Sequence, residues 1–279
     1  MIESEECIHK FIEEYSFRLD EKTVDLYQKA VRQLLIYTTK SVVEVTAKDI
    51  RSWLITLELG GYKKVTIKTK LAGIKLFFKY CLEEEFVSHS PAAPVPFPEL
   101  EDSLPHYLEM HQLIELRLLV EGNIEDRAIV EVLYATGIRV SELINLQIED
   151  ICWIERLINI QSGKRKKGRI VLFTRSCGEH LRAYLDQRRD TIPNVFVDAT
   201  ATRPAVKRTI QSRFERYEKR LGVRCTPHTL RHTFAAHLAQ KGMPLECIQV
   251  LLGHNSPHQT QLYARLYSHA RKLMYDEWM

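Results

Sequence analysis

The chain has 279 residues, 45% of them hydrophobic and 27% charged, and its 40 Lys and Arg against 36 Asp and Glu leave a net charge of +4. That composition excludes a disordered chain and leaves apolar material for about two domains. No run of about 18 apolar residues is present, and the acidic start Met1-Ile2-Glu3-Ser4-Glu5-Glu6 lacks the apolar segment of a secretory signal, so a cytoplasmic protein without a membrane span is expected.

The first part reads as all-helical. Cys7, Ile8, Phe11, Ile12 and Tyr15 recur at helical spacing, and so do Val24, Tyr27, Val31, Leu34 and Leu35. Thr46, three residues ahead of Asp49, has the form of an N-cap before Ile50, Trp53, Leu54 and Leu57, and Gly60-Gly61 stops that helix. A fourth helix is expected over about 66–84, with Ile67, Leu71, Ile74, Phe77 and Phe78 on its apolar face. Between Leu59 and Leu82 lie Lys63, Lys64, Lys68, Lys70, Lys75 and Lys79 and no acid. This is either a solvated helix face or a surface for a polyanion, and the missing acids favour the second. Five of the ten prolines then fall between Pro91 and Pro105. Proline fixes φ and disfavours helix in the residue before it. A semi-rigid linker is expected over 90–104, dividing a helical domain, 1–89, from a second domain, 105–279.

The second part reads as mixed. A helix over about 125–136 ends at Gly137, and a short one follows at about 139–146. Residues 151–154, 157–160 and 169–173 alternate as a small antiparallel sheet, with Gly163-Lys164-Arg165-Lys166-Lys167-Gly168 between the last two strands. From about 177 onward the chain is expected to be helical again. Val206, Ile210, Phe214, Tyr217 and Leu221 line one face up to Gly222, amid Arg203, Lys207, Arg208, Arg213, Arg216, Lys219 and Arg220. Thr226-Pro227, Met243-Pro244 and Ser256-Pro257 read as helix starts. Cys7, Cys81, Cys152, Cys177, Cys225 and Cys247 show no C-x-x-C spacing and read as free thiols.

Three further segments carry chemistry. In His228-Thr229-Leu230-Arg231-His232-Thr233-Phe234-Ala235-Ala236-His237, a helix after Pro227 puts His228 and Arg231 on one face. His228 and His232 also have the spacing of a zinc pair, but Thr229 stands where a zincin needs Glu, so no metal is expected and His232 reads as a hydrogen-bonded helix residue. In Ala135-Thr136-Gly137-Ile138-Arg139-Val140-Ser141-Glu142-Leu143, Arg139 and Glu142 can share a face, which by itself reads as a surface ion pair. The third is Leu251-Leu252-Gly253-His254, with Tyr263 nine residues on.

Taken together, the strings ATGIRVSEL, GKRKKGRI, HTLRHTFAAHL and LLGH with QTQLY behind it stand in the order found in tyrosine recombinases of the phage integrase family. The resemblance extends over nearly the whole chain, loosely over 65–91, and in style is nearest to short Xer-like recombinases and transposon resolvases. It implies a mainly α protein with a small antiparallel sheet, built as a two-domain, C-shaped DNA clamp. A helical SAM-like core-binding domain would precede a catalytic domain. The resemblance makes Tyr263 the nucleophile of a 3′-phosphotyrosine, Arg139 and Arg231 the clamp on the phosphate, and Lys164 the acid for the leaving 5′-oxygen. Lys166 and Lys167 compete with Lys164; the choice rests on its following Gly163 directly. His228 would assist proton transfer, His254 would bind the phosphate, and Glu142 would orient Arg139. One departure is that many relatives carry Pro in the strand after the turn, where this chain reads Ile170-Val171-Leu172-Phe173.

Contacts to DNA are expected from Lys63, Lys64, Lys68, Lys70, Lys75, Arg165, Lys166, Lys167, Lys207, Arg208 and Arg213. Affinity should therefore fall steeply with salt. The expected partner is a double-stranded recombination site, without a cofactor, with strands exchanged through a Holliday junction by four protomers that can be monomers beforehand. The stretch from Leu266 to Met279, with Leu273, Met274 and Trp278, either docks on a neighbouring protomer or packs on its own domain. The alternative function is a non-catalytic DNA-binding accessory protein on the same fold; a zinc hydrolase is the remaining one.

Overall fold

The computed structural model describes residues 4–100, 104–161, 168–253, 258–264 and 266. The chain divides into two compact units, Met1–Glu101 and Asp102–Met279.

The first unit holds α1 (Ser4–Ser16), α2 (Glu21–Thr38), α3 (Ala47–Leu59) and α4 (Lys64–Glu83). Local chemistry sets the helix starts. Asp20 accepts the Thr23 N–H at 3.0 Å ahead of α2. Thr46 and Asp49 exchange bonds as a capping box ahead of α3, with Lys40 on the Asp49 carboxylate at 2.7 Å. Phe11, Leu34, Ile50, Trp53, Leu71, Phe77 and Phe78 share one core. The stretch expected to be a tether from residue 90 begins by folding onto this core. Ala93 and Val95 donate back to the carbonyls of Ser90 and Ala92 at 3.3 and 3.2 Å, and Ala92 and Val95 are buried. The prolines bar helix there but not tight turns, and the turns let two small apolar side chains leave water.

The second unit holds α5 (Met110–Val120), α6 (Ile124–Thr136), α7 (Val140–Asn145), β1 (Ile151–Cys152), β2 (Leu157–Ile160), β3 (Arg169–Leu172), α8 (Arg175–Gln187), α9 (Lys207–Leu221), α10 (Pro227–Gln240), α11 (Leu245–Leu252) and α12 (His258–Gln261). The strands form an antiparallel sheet in the order β1-β2-β3, with Ile158 opposite Val171. Helix α6 runs through the middle. Ala128, Ile129, Val130, Val132 and Leu133 are buried, and the deeper of its two buried acids, Glu131, is 1% exposed and held by Arg117 and Arg127.

Three differences from the sequence expectation have physical causes. Helix α5 escapes periodicity because apolar residues occur all around it: Leu113 and Leu116 are buried while Ile114 and Leu118 are exposed. Strand β1 stops after two residues, and Arg156, at φ 55°, turns the chain into β2. Residues 188–206 are irregular rather than helical. Pro193 and Pro204 interrupt them, and the Arg188 guanidinium pins the loop through the carbonyls of Ile192, Asn194 and Val195 and the Asp190 carboxylate. No helix among the described residues is long and apolar enough to cross a membrane.

Gly137 fixes how the functional segments meet. It caps α6 at φ 62°, and a Cβ there would lie 2.4 Å from Cδ1 of Phe234 on α10. Only glycine allows both the left-handed turn and that approach, and the turn starts α7 beside α10.

Candidate active site

Helix α11 ends in a left-handed cap at Gly253, φ 62°. The last carbonyls of a helix lack intrahelical donors and carry the negative end of its dipole. Here three arginines from three other elements fill consecutive positions. Arg169 Nε, from β3, donates to Leu251 O at 2.8 Å. Arg231 Nη2, from α10, donates to Leu252 O at 2.7 Å. Arg139 Nη2, from the start of α7, donates to Gly253 O at 3.4 Å. A second bond from Arg231 Nη1 reaches Gly137 O at 2.5 Å, so this buried guanidinium also fastens the turn between α6 and α7.

Glu142 joins two of the three. Its carboxylate accepts the Arg139 backbone N–H at 2.7 Å and Arg139 Nη1 at 2.9 Å, and it accepts Arg169 Nη1 and Nη2 at 2.9 and 2.8 Å. Burial alone would push the Glu142 carboxyl up. The hydrogen bonds from Arg169 and the Arg139 backbone, together with both guanidinium charges, outweigh it and hold the group at about 2. Arg231 moves the other way: burial, then the charge of Arg139, lowers it to about 9, which leaves it charged at neutral pH.

Tyr263, just past α12, is 1% exposed, and its hydroxyl hydrogen-bonds His232 Nδ1 at 2.5 Å. Burial pushes the phenol up and the nearby charge of Arg231 pulls it down, with a net rise. The rings of His232 and His228 lie 4.2 Å apart, one helical turn along α10. Partial burial, then the charges of Arg231, Arg139 and Arg224, lowers the His228 pKa and favours its neutral, proton-accepting form. A buried phenol, two histidines and a set of guanidinium groups therefore converge on the end of α11. Such a set suits stabilisation of a phosphoryl group under attack by an oxygen nucleophile.

Residues 107–269 match the phage integrase family, and residues 8–87 match the phage integrase N-terminal SAM-like domain. The chain belongs to the phage integrase family. It is 34% identical over 263 residues to tyrosine recombinase XerC of Thermodesulfovibrio yellowstonii, which covers 88% of this chain and 85% of that protein. The crystal structure of XerA recombinase is 30% identical, spans 98% of both chains and gives a TM-score of 0.56. The Tn1549 transposon integrase in complex with transposon right end DNA is 18% identical, spans 99% of both chains, and its TM-score of 0.83 shows a shared fold. The chain is thus an Xer-like tyrosine recombinase, a site-specific recombination enzyme.

In this recombinase Arg139, Glu142, His228, Arg231 and Tyr263 are brought to one site from α7, α10 and the α12 end, whereas Lys164, His254, Arg165, Lys166 and Lys167 lie outside the described residues. So do Ser256-Pro257 and the tail residues Leu273, Met274 and Trp278. Of the expected DNA contacts, Lys63, Lys64, Lys68, Lys207 and Arg208 are exposed. Arg208 pairs with Glu215 at 2.6 Å on that surface. Lys70 and Lys75 are half-buried. Lys70 bonds Gln33 and covers the Tyr62 ring; Lys75 donates to Ala93 O at 3.1 Å and covers the Phe97 ring. Arg213 is a correction. It is buried and donates to Asp126 Oδ1 at 2.6 Å and Glu125 Oε2 at 2.9 Å, so its charge ties α9 to α6 instead of facing a polyanion. Its place on the stripe of Ile210, Phe214 and Tyr217 was the available signal. Nothing in the sequence around Arg169 marks it as part of this site, because its partners are distant along the chain.

Proposed function

We propose that this recombinase cuts and rejoins duplex DNA at a defined site through a covalent bond between Tyr263 and the 3′ phosphate. The observation that carries this reading is the convergence of the Tyr263 phenol, His232 and Arg231 beside Arg139. The phenol oxygen attacks phosphorus, and the bond to the 5′-oxygen breaks. Arg139 and Arg231 take up the charge on the non-bridging oxygens, an effect usually worth about a hundred- to thousand-fold in rate for each donor. His228 assists proton transfer. The resemblance to the family makes Lys164 the group that protonates the leaving 5′-oxygen and His254 a ligand of the phosphate. The phosphodiester energy is kept in the phosphotyrosine, so resealing onto a second strand needs no ATP. A phenol that is 1% exposed cannot meet DNA as it stands, so docking of the duplex has to exchange the His232 bond for access to the phosphate.

Lys63, Lys64, Lys68 and Lys207 supply exposed charge for phosphates. Four copies bring two duplexes together and exchange strands in two steps through a Holliday junction. The task is integration or resolution of a mobile element, or resolution of replicon dimers, in the cytoplasm.

The test begins by selecting a bound site from random-sequence duplexes with the full-length protein. Two duplexes carrying that site are then incubated with the enzyme, without ATP. Recombinant products are expected, and Tyr263→Phe is expected to yield none while still binding the site. Products from Tyr263→Phe at the wild-type rate would contradict the reading. Binding is expected to weaken by about 10³–10⁵-fold between about 50 and 200 mM salt, as for a protein making several phosphate contacts; a flat salt response would contradict the DNA-facing assignment of these lysines.

A further inference from the structure

Arg169 sits at the start of β3, on the same side of the strand as buried Val171, while Ile170 and Leu172 face water. A charged residue on the inward side of a strand needs a reason, and the reason here is a set of three acceptors. The Arg169 side chain is 12% exposed. Its fork takes both oxygens of Glu142, and its Nε takes the Leu251 carbonyl. Gly253 leaves the room for this: a Cβ at that position would lie 2.9 Å from Arg169 Cδ and 3.2 Å from its Nε.

The consequences run to both neighbouring guanidinium groups. Glu142, with one edge filled by Arg169, presents itself in a single orientation to the Arg139 backbone and side chain. Leu251, once bonded, fixes the end of α11, and the next two carbonyls on that end hold Arg231 and Arg139. Lysine could keep the charge but could not bridge two carboxylate oxygens and a carbonyl with one ammonium in this geometry.

We infer that Arg169 is a positioning residue for the strand-cutting reaction. Acting through Glu142 and the end of α11, it sets the orientation of Arg139 and, less directly, of Arg231. The inference rests on the reading of those arginines as the phosphate clamp.

The test uses the full-length protein and the selected duplex, nicked at each position across the site in turn so that covalent adduct accumulates. Arg169→Ala is expected to slow adduct formation by about 100-fold, the size of loss a misplacement of about 1 Å produces, with affinity for the intact duplex unchanged. In the Arg139→Ala background the same change is expected to cost no more than about tenfold, because most of what it positions is already gone. Arg169→Lys, which keeps the stem and the charge, is expected to fall between wild type and Arg169→Ala, and it carries the comparison if Arg169→Ala does not fold. Wild-type rates from either variant, or the full loss repeated in the Arg139→Ala background, would overturn the inference. Tyr263→Phe is run alongside. An adduct from it would move the nucleophile elsewhere, while the coupling between Arg169 and Arg139 would still be read from the other rates.

Discussion

Arg231→Ala is expected to lower the rate of covalent adduct formation by about a hundred- to thousand-fold and to destabilise the second unit as well. The first effect follows from losing one preorganised cation from the developing phosphoryl charge. The second follows from what the side chain does before any DNA arrives. Its two terminal nitrogens satisfy Gly137 O and Leu252 O in a buried position. Each carbonyl left without a donor costs about 1–3 kcal/mol. A guanidinium has five N–H groups, and two are committed to these carbonyls, which leaves others for a phosphate. Arg231→Lys is expected to fail at both tasks, since one ammonium cannot span acceptors on α11 and at Gly137. Urea unfolding and single-turnover cleavage check the two effects separately. A variant as stable as wild type would show that these carbonyls find other donors, and one cleaving at the wild-type rate would remove Arg231 from the clamp.

Glu142→Leu is expected to cost about 3–5 kcal/mol of stability, because it leaves two partly buried guanidinium groups facing each other without their shared carboxylate. Cleavage should fall with it. The same group gives a signature in acid. The folded protein holds the carboxyl at about 2, below its ordinary 4.5. A lowered acid contributes stability above its unfolded pKa and loses it as pH falls through the folded one. The Glu142 contribution is therefore present at neutral pH and lost between about pH 4.5 and pH 2. Thermal unfolding of Glu142→Gln, compared with wild type across that range, should show a shallower decline. Parallel declines would mean that Glu142 is not held by Arg139 and Arg169 as described.

What could be read from the sequence was local. The Thr46–Asp49 box, the stops at Gly137 and Gly222, and the start at Thr226-Pro227 each depend on a few neighbouring residues, and each is where the spacing predicts it. The order of the motif strings likewise announced the family. What could not be read depended on partners far along the chain. Arg213 looked like one more cation on a basic helix, yet its acids lie 87 and 88 residues away on α6. Arg169 reads only as the first residue of a strand, yet its carboxylate lies 27 residues back and its carbonyl 82 residues ahead. The buried stretch around Ala92 and Val95 hid behind prolines, because a tether and a packed turn share the same composition.

In the proposed reaction Tyr263 becomes joined to DNA beside the arginines at the end of α11. Protease digestion of the adduct trapped on the nicked duplex, followed by mass spectrometry of the nucleotide-bearing peptide, tests it most directly. A single modified residue, Tyr263, esterified to a 3′ phosphate, is expected. A nucleotide on any other side chain, or a 5′ linkage, would contradict it.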